Sequence, residues 1–358
     1  MILREIRLQD FRNIAEASLR IDGLRCFLVG ANGQGKTNLL ESLGYISALR
    51  AFRPGDNRVL IREGSAEAAM AYQIEHEKLG PSEVLLRIRP KSKEALFDGN
   101  PVRRLADIIG RFPTVLFASE DIQLLRGSPA LRRRFLDLHL ASIDPVYLEV
   151  LQHFHRALEQ RNRLLKDNAR DARALAAFEQ QLAPAAVDLA VRRRAGVAAL
   201  SSLVTAFHAR ITDGAENAAI EYHADLEAAD AAAFLSLLER HHARDLQLHS
   251  TQRGPHRDDL LLRIDGREAS LFGSEGQQRA LVLALRFAQL RHARERTGMA
   301  PVVLADDVLG ELDPARRARF WAALDGDVQL FATGTALPAG DELPWQVFRV
   351  EQGRFARI

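Results

Sequence analysis

Cysteine is all but missing from this chain. One thiol, Cys26, stands among 358 residues, which excludes an internal disulfide framework and suits a reducing compartment. Long apolar runs are missing too. No stretch approaches the roughly 18 uninterrupted apolar residues of a membrane-spanning helix, and the first residues carry no apolar h-region with a cleavage site. Neither secretion nor membrane insertion is expected, and a cytoplasmic location is. Lysine is scarce: of 49 Lys+Arg, only Lys36, Lys78, Lys91, Lys93 and Lys166 are lysines. The arginines that replace it have planar forks suited to phosphate, although an Ala- and Arg-rich genome would leave the same mark. A net charge of +2 announces no particular partner. Aromatic residues do not interleave with the basic ones, so no base-stacking platform is expected. Internal repeats and low-complexity linkers are absent as well.

What is present is a hydrophobic fraction of 47%, ample for a sizeable core and more than one lobe. Residues 1–30 read as strand, turn, strand, and a helix pattern follows from Lys36 to about Ala48, with Leu39, Leu40, Leu43 and Ile46 on one side. Apolar and polar residues alternate over 58–100 and close on the turn Asp98-Gly99-Asn100-Pro101, which predicts a small antiparallel sheet. Residues from about 129 to 210 are Ala-rich and helical in period. Tyr147, Leu151, Phe154, Leu158 and Leu165 form a stripe that Arg161 shares. Strand-like segments return at 258–265, 302–305 and 328–332, with a helix from about 275 to 294. The pattern predicts an α/β core with an antiparallel β subdomain and an inserted helical lobe carrying a short coiled-coil pair. Its expected pieces are 1–120, 121–250 and 251–358.

Gly30-Ala31-Asn32-Gly33-Gln34-Gly35-Lys36-Thr37 matches G-x-x-x-x-G-K-[ST], placed between a buried strand and a helix as that motif requires. Glycines let successive N–H groups turn inward toward phosphate oxygens, and the helix N-terminus adds partial positive charge. Lys36 is expected to reach the β/γ phosphates of ATP or GTP, and the Thr37 hydroxyl to join Mg²⁺. Val302-Val303-Leu304-Ala305-Asp306-Asp307 is an apolar run ending in two carboxylates. A buried parallel strand would present them beside the phosphate loop, with Asp306 on Mg²⁺ and Asp307 polarising the attacking water.

Two further stretches narrow the class. Ser274-Glu275-Gly276-Gln277 opens a helix, with Ser274 as N-cap and Gln277 completing a capping box. Such a capped end is also a second anion site, able to hold a γ-phosphate from the opposite side. The same polypeptide is not expected to bring this end onto its own loop, so the site would need a second copy. Gly310-Glu311-Leu312-Asp313 follows the acidic pair and precedes Pro314. Together these stretches resemble the Walker A, signature, Walker B and D-loop set of ABC ATPases.

A closer resemblance, to the RecF family, covers nearly the whole chain. Its marks are Leu8-Gln9-Asp10-Phe11-Arg12-Asn13, Phe117-Ala118-Ser119-Glu120-Asp121, Gly127-Ser128-Pro129 with Arg132-Arg133-Arg134-Phe135-Leu136-Asp137, Gln160-Arg161-Asn162-Arg163-Leu164-Leu165 and Gly254-Pro255-His256-Arg257-Asp258-Asp259. The interval from Lys36 to Asp306 is too short for the long coiled-coil arms of SMC-type relatives. The resemblance implies a slow, DNA-stimulated ATPase that closes on DNA as an ATP-dependent homodimer. It further implies work with RecO and RecR at single-strand gaps, loading of RecA, and a part in SOS induction. Arg132, Arg133, Arg134, Arg161 and Arg163 are the DNA-contact candidates, with Arg192-Arg193-Arg194 a second cluster; solvated helix faces or internal ion pairs are the plain alternative for each. His256, Arg257 and Asp258 read rather as a structural knot. Departures from the family pattern are Ala118 for proline, Gly310 for serine, and Gly334 where many ABC ATPases carry a switch histidine. The second acid is Asp307 where most ABC enzymes have the longer Glu, which points to weak hydrolysis. A transporter-type ATPase subunit and a small-molecule kinase are competing readings that leave some of these stretches without a role; a non-hydrolysing scaffold, with ATP only as dimer glue, is a third.

Overall fold

Val302, Val303, Leu304 and Ala305 are each buried, as a strand covered on both faces requires. They belong to a computed structural model that describes residues 1–48, 56–104, 107–167, 172–225, 230–311, 314–337 and 344–358. The chain divides into two units, Met1–Asp121 with Gln289–Ile358, and Ile122–Ala288. The stretch 251–288, grouped on sequence pattern with the C-terminal core, falls in the second of these.

The first unit holds two six-stranded sheets. One is antiparallel, built from β1 (Ile2–Phe11), β2 (Ile14–Arg20), β4 (Ala68–His76), β5 (Gly80–Ile88), β6 (Lys93–Phe97) and β7 (Asn100–Pro101) in the order β2-β1-β4-β5-β6-β7. Its period-2 pattern does what the sequence predicts: Ala68, Met70, Tyr72 and Ile74 face the core on alternate positions of β4. The other sheet contains β3 (Arg25–Val29), β8 (Thr114–Ala118), β12 (Val302–Asp306), β13 (Leu330–Gly334), β14 (Gln346–Glu351) and β15 (Arg354–Arg357). Its order is β15-β14-β3-β13-β12-β8, parallel except for the β14–β15 hairpin. The helix Lys36–Ala48 follows β3 and lays Leu39, Leu40, Leu43 and Ile46 into a core shared by both sheets. Gln329 stitches the sheets together: its side chain accepts from the Leu3 N–H at 2.7 Å and donates to the Leu3 carbonyl at 2.9 Å.

The second unit is helical apart from the antiparallel strands β9 (Ala218–His223), β10 (Asp259–Ile264) and β11 (Arg267–Glu268). Its longer helices are Pro129–Ile143, Pro145–Lys166, Ala172–Thr212, Ala231–Gln247 and the first part of Glu275–Thr297. The break between the first two has a local cause. Pro145 cannot continue a helix from Ile143, and Asp144 leaves the α region (φ −136°, ψ 106°) to cap the next one, accepting from Val146 N–H at 2.9 Å and Tyr147 N–H at 3.2 Å.

Two buried arginines tie this unit together. Arg161, wholly buried, donates to Asp245 and Thr251 at 2.7 Å and to Glu179 at 3.0 Å. Arg193 is also buried; it grips both oxygens of Asp137 at 2.9 Å, the Pro255 carbonyl at 2.6 Å and Asp258 at 3.1 Å. Asp258 further accepts from the Tyr222 hydroxyl and from the Asp225 N–H. Burial pushes the Asp258 carboxyl above the usual carboxylate range, while Tyr222 and Arg193 pull it back. Arg161 shared an apolar stripe in the sequence because it is a core residue whose charge is neutralised in place.

Removing one partner of such a pair leaves the other charged and buried. Arg161→Ala is therefore expected to lower unfolding stability by about 3–5 kcal/mol. Arg163→Ala, on the exposed face of the same helix, should change it by less than about 0.5 kcal/mol. Urea denaturation of the two variants checks both values.

Candidate functional site

The phosphate-loop residues Gly30–Thr37 connect the end of β3 to the Lys36–Ala48 helix. Their backbone path leaves no choice of residue at two places. A Cβ on Gly30 would lie 2.3 Å from the Val350 carbonyl oxygen of the neighbouring strand β14. Gly35 has φ +113°, and a Cβ there would meet the Asn13 side chain at 2.9 Å. The loop is pinned from outside: Gly30 N–H donates to the Gly334 carbonyl at 3.2 Å, Gly353 N–H to the Gln34 carbonyl at 2.8 Å, and Gln352 N–H to Gln34 Oε1 at 2.7 Å. Lys36 is buried, with its ammonium donating to the Gly30 and Ala31 carbonyls at 2.7 and 3.0 Å.

The acidic strand end meets this loop directly. Asp306 Oδ1 accepts from Thr37 Oγ1 at 2.9 Å and from Thr333 Oγ1 at 2.8 Å. The strand order β3-β13-β12 brings the three together from segments far apart in sequence. Asp307 leaves the strand with φ 55°, a left-handed turn, and its N–H donates to Thr333 Oγ1 at 3.0 Å. A hydroxyl and a carboxylate this close form a hard oxygen donor pair, which suits a magnesium ion rather than a softer metal.

Some members of the site lie outside the phosphate loop and the acidic strand end. Arg12, in the turn between β1 and β2 with φ 55°, makes a two-pronged bond to Glu41 at 2.9 and 3.0 Å. Asn13 accepts from Asn38 Nδ2 at 2.7 Å. The Arg12-Asn13 turn thus holds the helix that follows the loop. Glu41, buried one turn into that helix, was the available signal, since a carboxylate in that position needs a cation. Beside this turn opens a cavity of about 720 Å³ lined by Arg12, Asn13, Asn38, Val59, Ile61, Arg62 and Glu63.

The signature residues lie in the second unit and form the expected capping box. Ser274 N–H donates to Gln277 Oε1 at 2.7 Å, and Gln277 N–H donates to Ser274 Oγ at 3.3 Å. Ser274 and Glu275 are exposed and Gly276 is half-buried. Gln278, the next residue, is buried and holds the preceding turn through the Ala269 and Gly273 carbonyls, both at 3.0 Å. Of the D-loop stretch, Gly310 is exposed at the end of the short helix Val308–Glu311, whereas Leu312 and Asp313 lie outside the described residues.

The arginine candidates separate by burial. Arg161 and Arg193 are core ion-pair members, and Arg161 is withdrawn as a DNA contact because no surface phosphate can reach it. Arg132 is fixed on Asp259 through two bonds of 2.7 Å and on the Gly127 carbonyl, and Arg133 on the Asp258 carbonyl at 2.6 Å. Both hold the helical unit together, and the fork of Arg132 is fully engaged. Arg134 is half-buried, whereas Arg163 and Arg194 are exposed. His256 behaves as the structural knot the sequence suggested: it is bonded to the Thr251 carbonyl at 2.9 Å, and burial pushes its pKa down to about 4, so it is neutral at physiological pH.

The family model described as RecF/RecN/SMC N terminal domain matches residues 2–334. The DNA replication and repair protein RecF of Geobacter metallireducens is 36% identical over 342 residues, covering 94% of this chain and 93% of that protein. Among solved structures, the recombination mediator protein RecF-ATPrS of the RecFOR pathway superposes with a TM-score of 0.91 at 27% identity, over 100% of this chain and 98% of that one. An Smc head domain with an extended coiled coil, bound to the C-terminal domain of ScpA and derived from Pyrococcus furiosus, reaches a TM-score of 0.55 at 16% identity over 99% of this chain and 95% of that one, a likeness of fold alone.

The missing switch histidine has a steric explanation. A Cβ on Gly334 would stand 2.9 Å from the Phe27 ring and 3.0 Å from the Ala336 carbonyl. Gly334→His is accordingly expected to lose about 1–3 kcal/mol of stability through overpacking. A thermal midpoint unchanged from the parent chain would contradict this account.

Proposed function

The chain belongs to the RecF family, and on that premise we propose that it is an ATP-hydrolysing, DNA-binding protein of replication and recombinational repair that acts as a nucleotide-gated homodimer in the cytoplasm. The observation that carries the reading is the Thr37–Asp306 hydrogen bond beside Lys36, because it joins the phosphate loop and the acidic strand into one site.

ATP lies with its phosphates in the Gly30–Thr37 loop. Lys36 exchanges the Gly30 and Ala31 carbonyls for β- and γ-phosphate oxygens, a small movement for an ammonium already inside the loop. The Arg12-Asn13 cavity receives the nucleoside end. Thr37 and Asp306 would hold Mg²⁺, which would supply positive charge to neutralise the phosphates. Asp307 orients the attacking water. Its shorter side chain, together with the crowding at Gly334 that keeps out a histidine, suits slow turnover. Ser274 of a second copy closes over the γ-phosphate, so nucleotide binds the dimer together and hydrolysis releases it. Duplex DNA meets exposed basic residues such as Arg163 and Arg194 through its phosphates, without sequence preference. The proposal extends to cooperation with RecO, RecR and RecA at single-strand gaps and to a part in SOS induction, which the resemblance to RecF implies.

ATP turnover measured over a range of protein concentrations, with and without gapped duplex DNA, tests this reading. The rate per subunit is expected to climb with concentration, to rise with DNA, and to collapse in Ser274→Arg. Asp307→Asn should retain ATP binding while lowering turnover by at least about 100-fold. Turnover that is flat in concentration and blind to DNA would remove the composite two-subunit site.

A further inference from the structure

Gln277 is more than half of a capping box. Its carboxamide has two ends, and each is engaged: Oε1 accepts from Ser274 N–H at 2.7 Å, while Nε2 donates to Glu216 Oε1 at 3.0 Å. A carboxamide can turn over and exchange its oxygen for its nitrogen, and only its neighbours decide which end is which. Glu216, an acceptor only, compels nitrogen on its own side and so delivers oxygen to Ser274. The Ser274 hydroxyl in turn accepts from Gln277 N–H at 3.3 Å, which leaves its proton free to be donated elsewhere.

The turn that carries Glu216 is held from several directions. It lies between the Ala172–Thr212 helix and β9, and is closed by Gly214 N–H on the Ala209 carbonyl at 2.8 Å and Ala215 N–H on the Thr212 carbonyl at 3.1 Å. Next to it, Asn217 exchanges two bonds with Asp265 in the β10–β11 turn, at 2.9 and 2.8 Å. Behind it, Glu216 Oε2 stands 3.6 Å from Nε2 of His208, a fully buried ring on the last turns of the long helix. The carboxylate thus sits on a fixed turn and packs beside a buried ring, which limits its movement.

We propose that Glu216, backed by His208, is a positioning residue for the signature serine: through the Gln277 carboxamide it sets the direction in which Ser274 presents its hydroxyl to the γ-phosphate of the partner subunit's nucleotide. The proposal rests on the reading of Ser274 as the γ-phosphate contact. Glu216 touches no nucleotide; it acts on the step that depends on the second copy.

Four variants of the full chain test it, with kcat, KM for ATP and thermal midpoint measured for each. Glu216→Ala should lower kcat about tenfold with KM unchanged, because the loop that binds nucleotide in the same subunit is untouched. Glu216→Gln, which still offers Gln277 an acceptor, should restore kcat to within about twofold. In the third variant, Ser274→Ala, kcat should fall at least as far as in Glu216→Ala. The fourth, the double variant Ser274→Ala/Glu216→Ala, should be no slower than Ser274→Ala alone. If Ser274→Ala leaves kcat intact, the reading of the signature serine fails and the proposal goes with it. If Ser274→Ala is slow but Glu216→Ala is not, the reading stands and the proposal is overturned. Equal losses in Glu216→Ala and Glu216→Gln, or losses that multiply in the double variant, overturn it too, because they show Glu216 acting by another route.

Discussion

One carboxylate oxygen, Asp306 Oδ1, organises the site. It accepts from Thr37 at the start of the loop helix and from Thr333 on the neighbouring strand, so three segments distant in sequence share a single acceptor. That meeting depends on register. Ala332 pairs with Ala305, and Thr333 pairs with Leu28 just before the loop. A slip of one residue in either pairing would turn Thr333 to the opposite face of the sheet and separate the acid from the loop. The buried runs of β3, β12 and β13 hold the register, because a slipped central strand would leave its apolar residues and its ladder bonds unmatched.

The second unit relies on a different constraint, charge buried in matched pairs. The stretches that mark the family there supply most of these pairs. Arg132 of the first helix holds Asp259 at the start of β10, Arg193 joins Asp137 of the first helix to Asp258, and Thr251 joins Arg161 to its neighbour Asn162 of the second helix. Such pairs contribute little net stability compared with apolar packing, but each is costly to break and tolerates only one geometry. A unit that must present a helix end accurately gains from that exclusivity, and the signature cap at Ser274 is such an end.

Legibility followed contiguity. The phosphate loop, the acidic strand end and the signature cap are short strings whose chemistry needs neighbouring residues, so they could be read one after another. Arg12 and Asn13 stood out only as part of a family mark, because their bonds to Glu41 and Asn38 join the β1–β2 turn to the loop helix. The arginines were harder still. A fork aimed at solvent and a fork locked on a buried aspartate are the same letter, and only the apolar company of Arg161 hinted at its place in the core.

By itself the sequence determined the two chemistries of the site and the alternation of strands and helices that carries them, because both are written in local spacing: glycines where the loop must turn, apolar runs where a strand must be buried, a serine three residues before a glutamine. Tertiary structure alone decided which groups meet. The Thr37–Asp306 contact, the closed space at Gly334, the burial of Arg161 and the anchoring of Gln277 on Glu216 each depend on strand order, register or the packing of distant helices. Those follow from the combined burial of many residues, and no short stretch of chain encodes them.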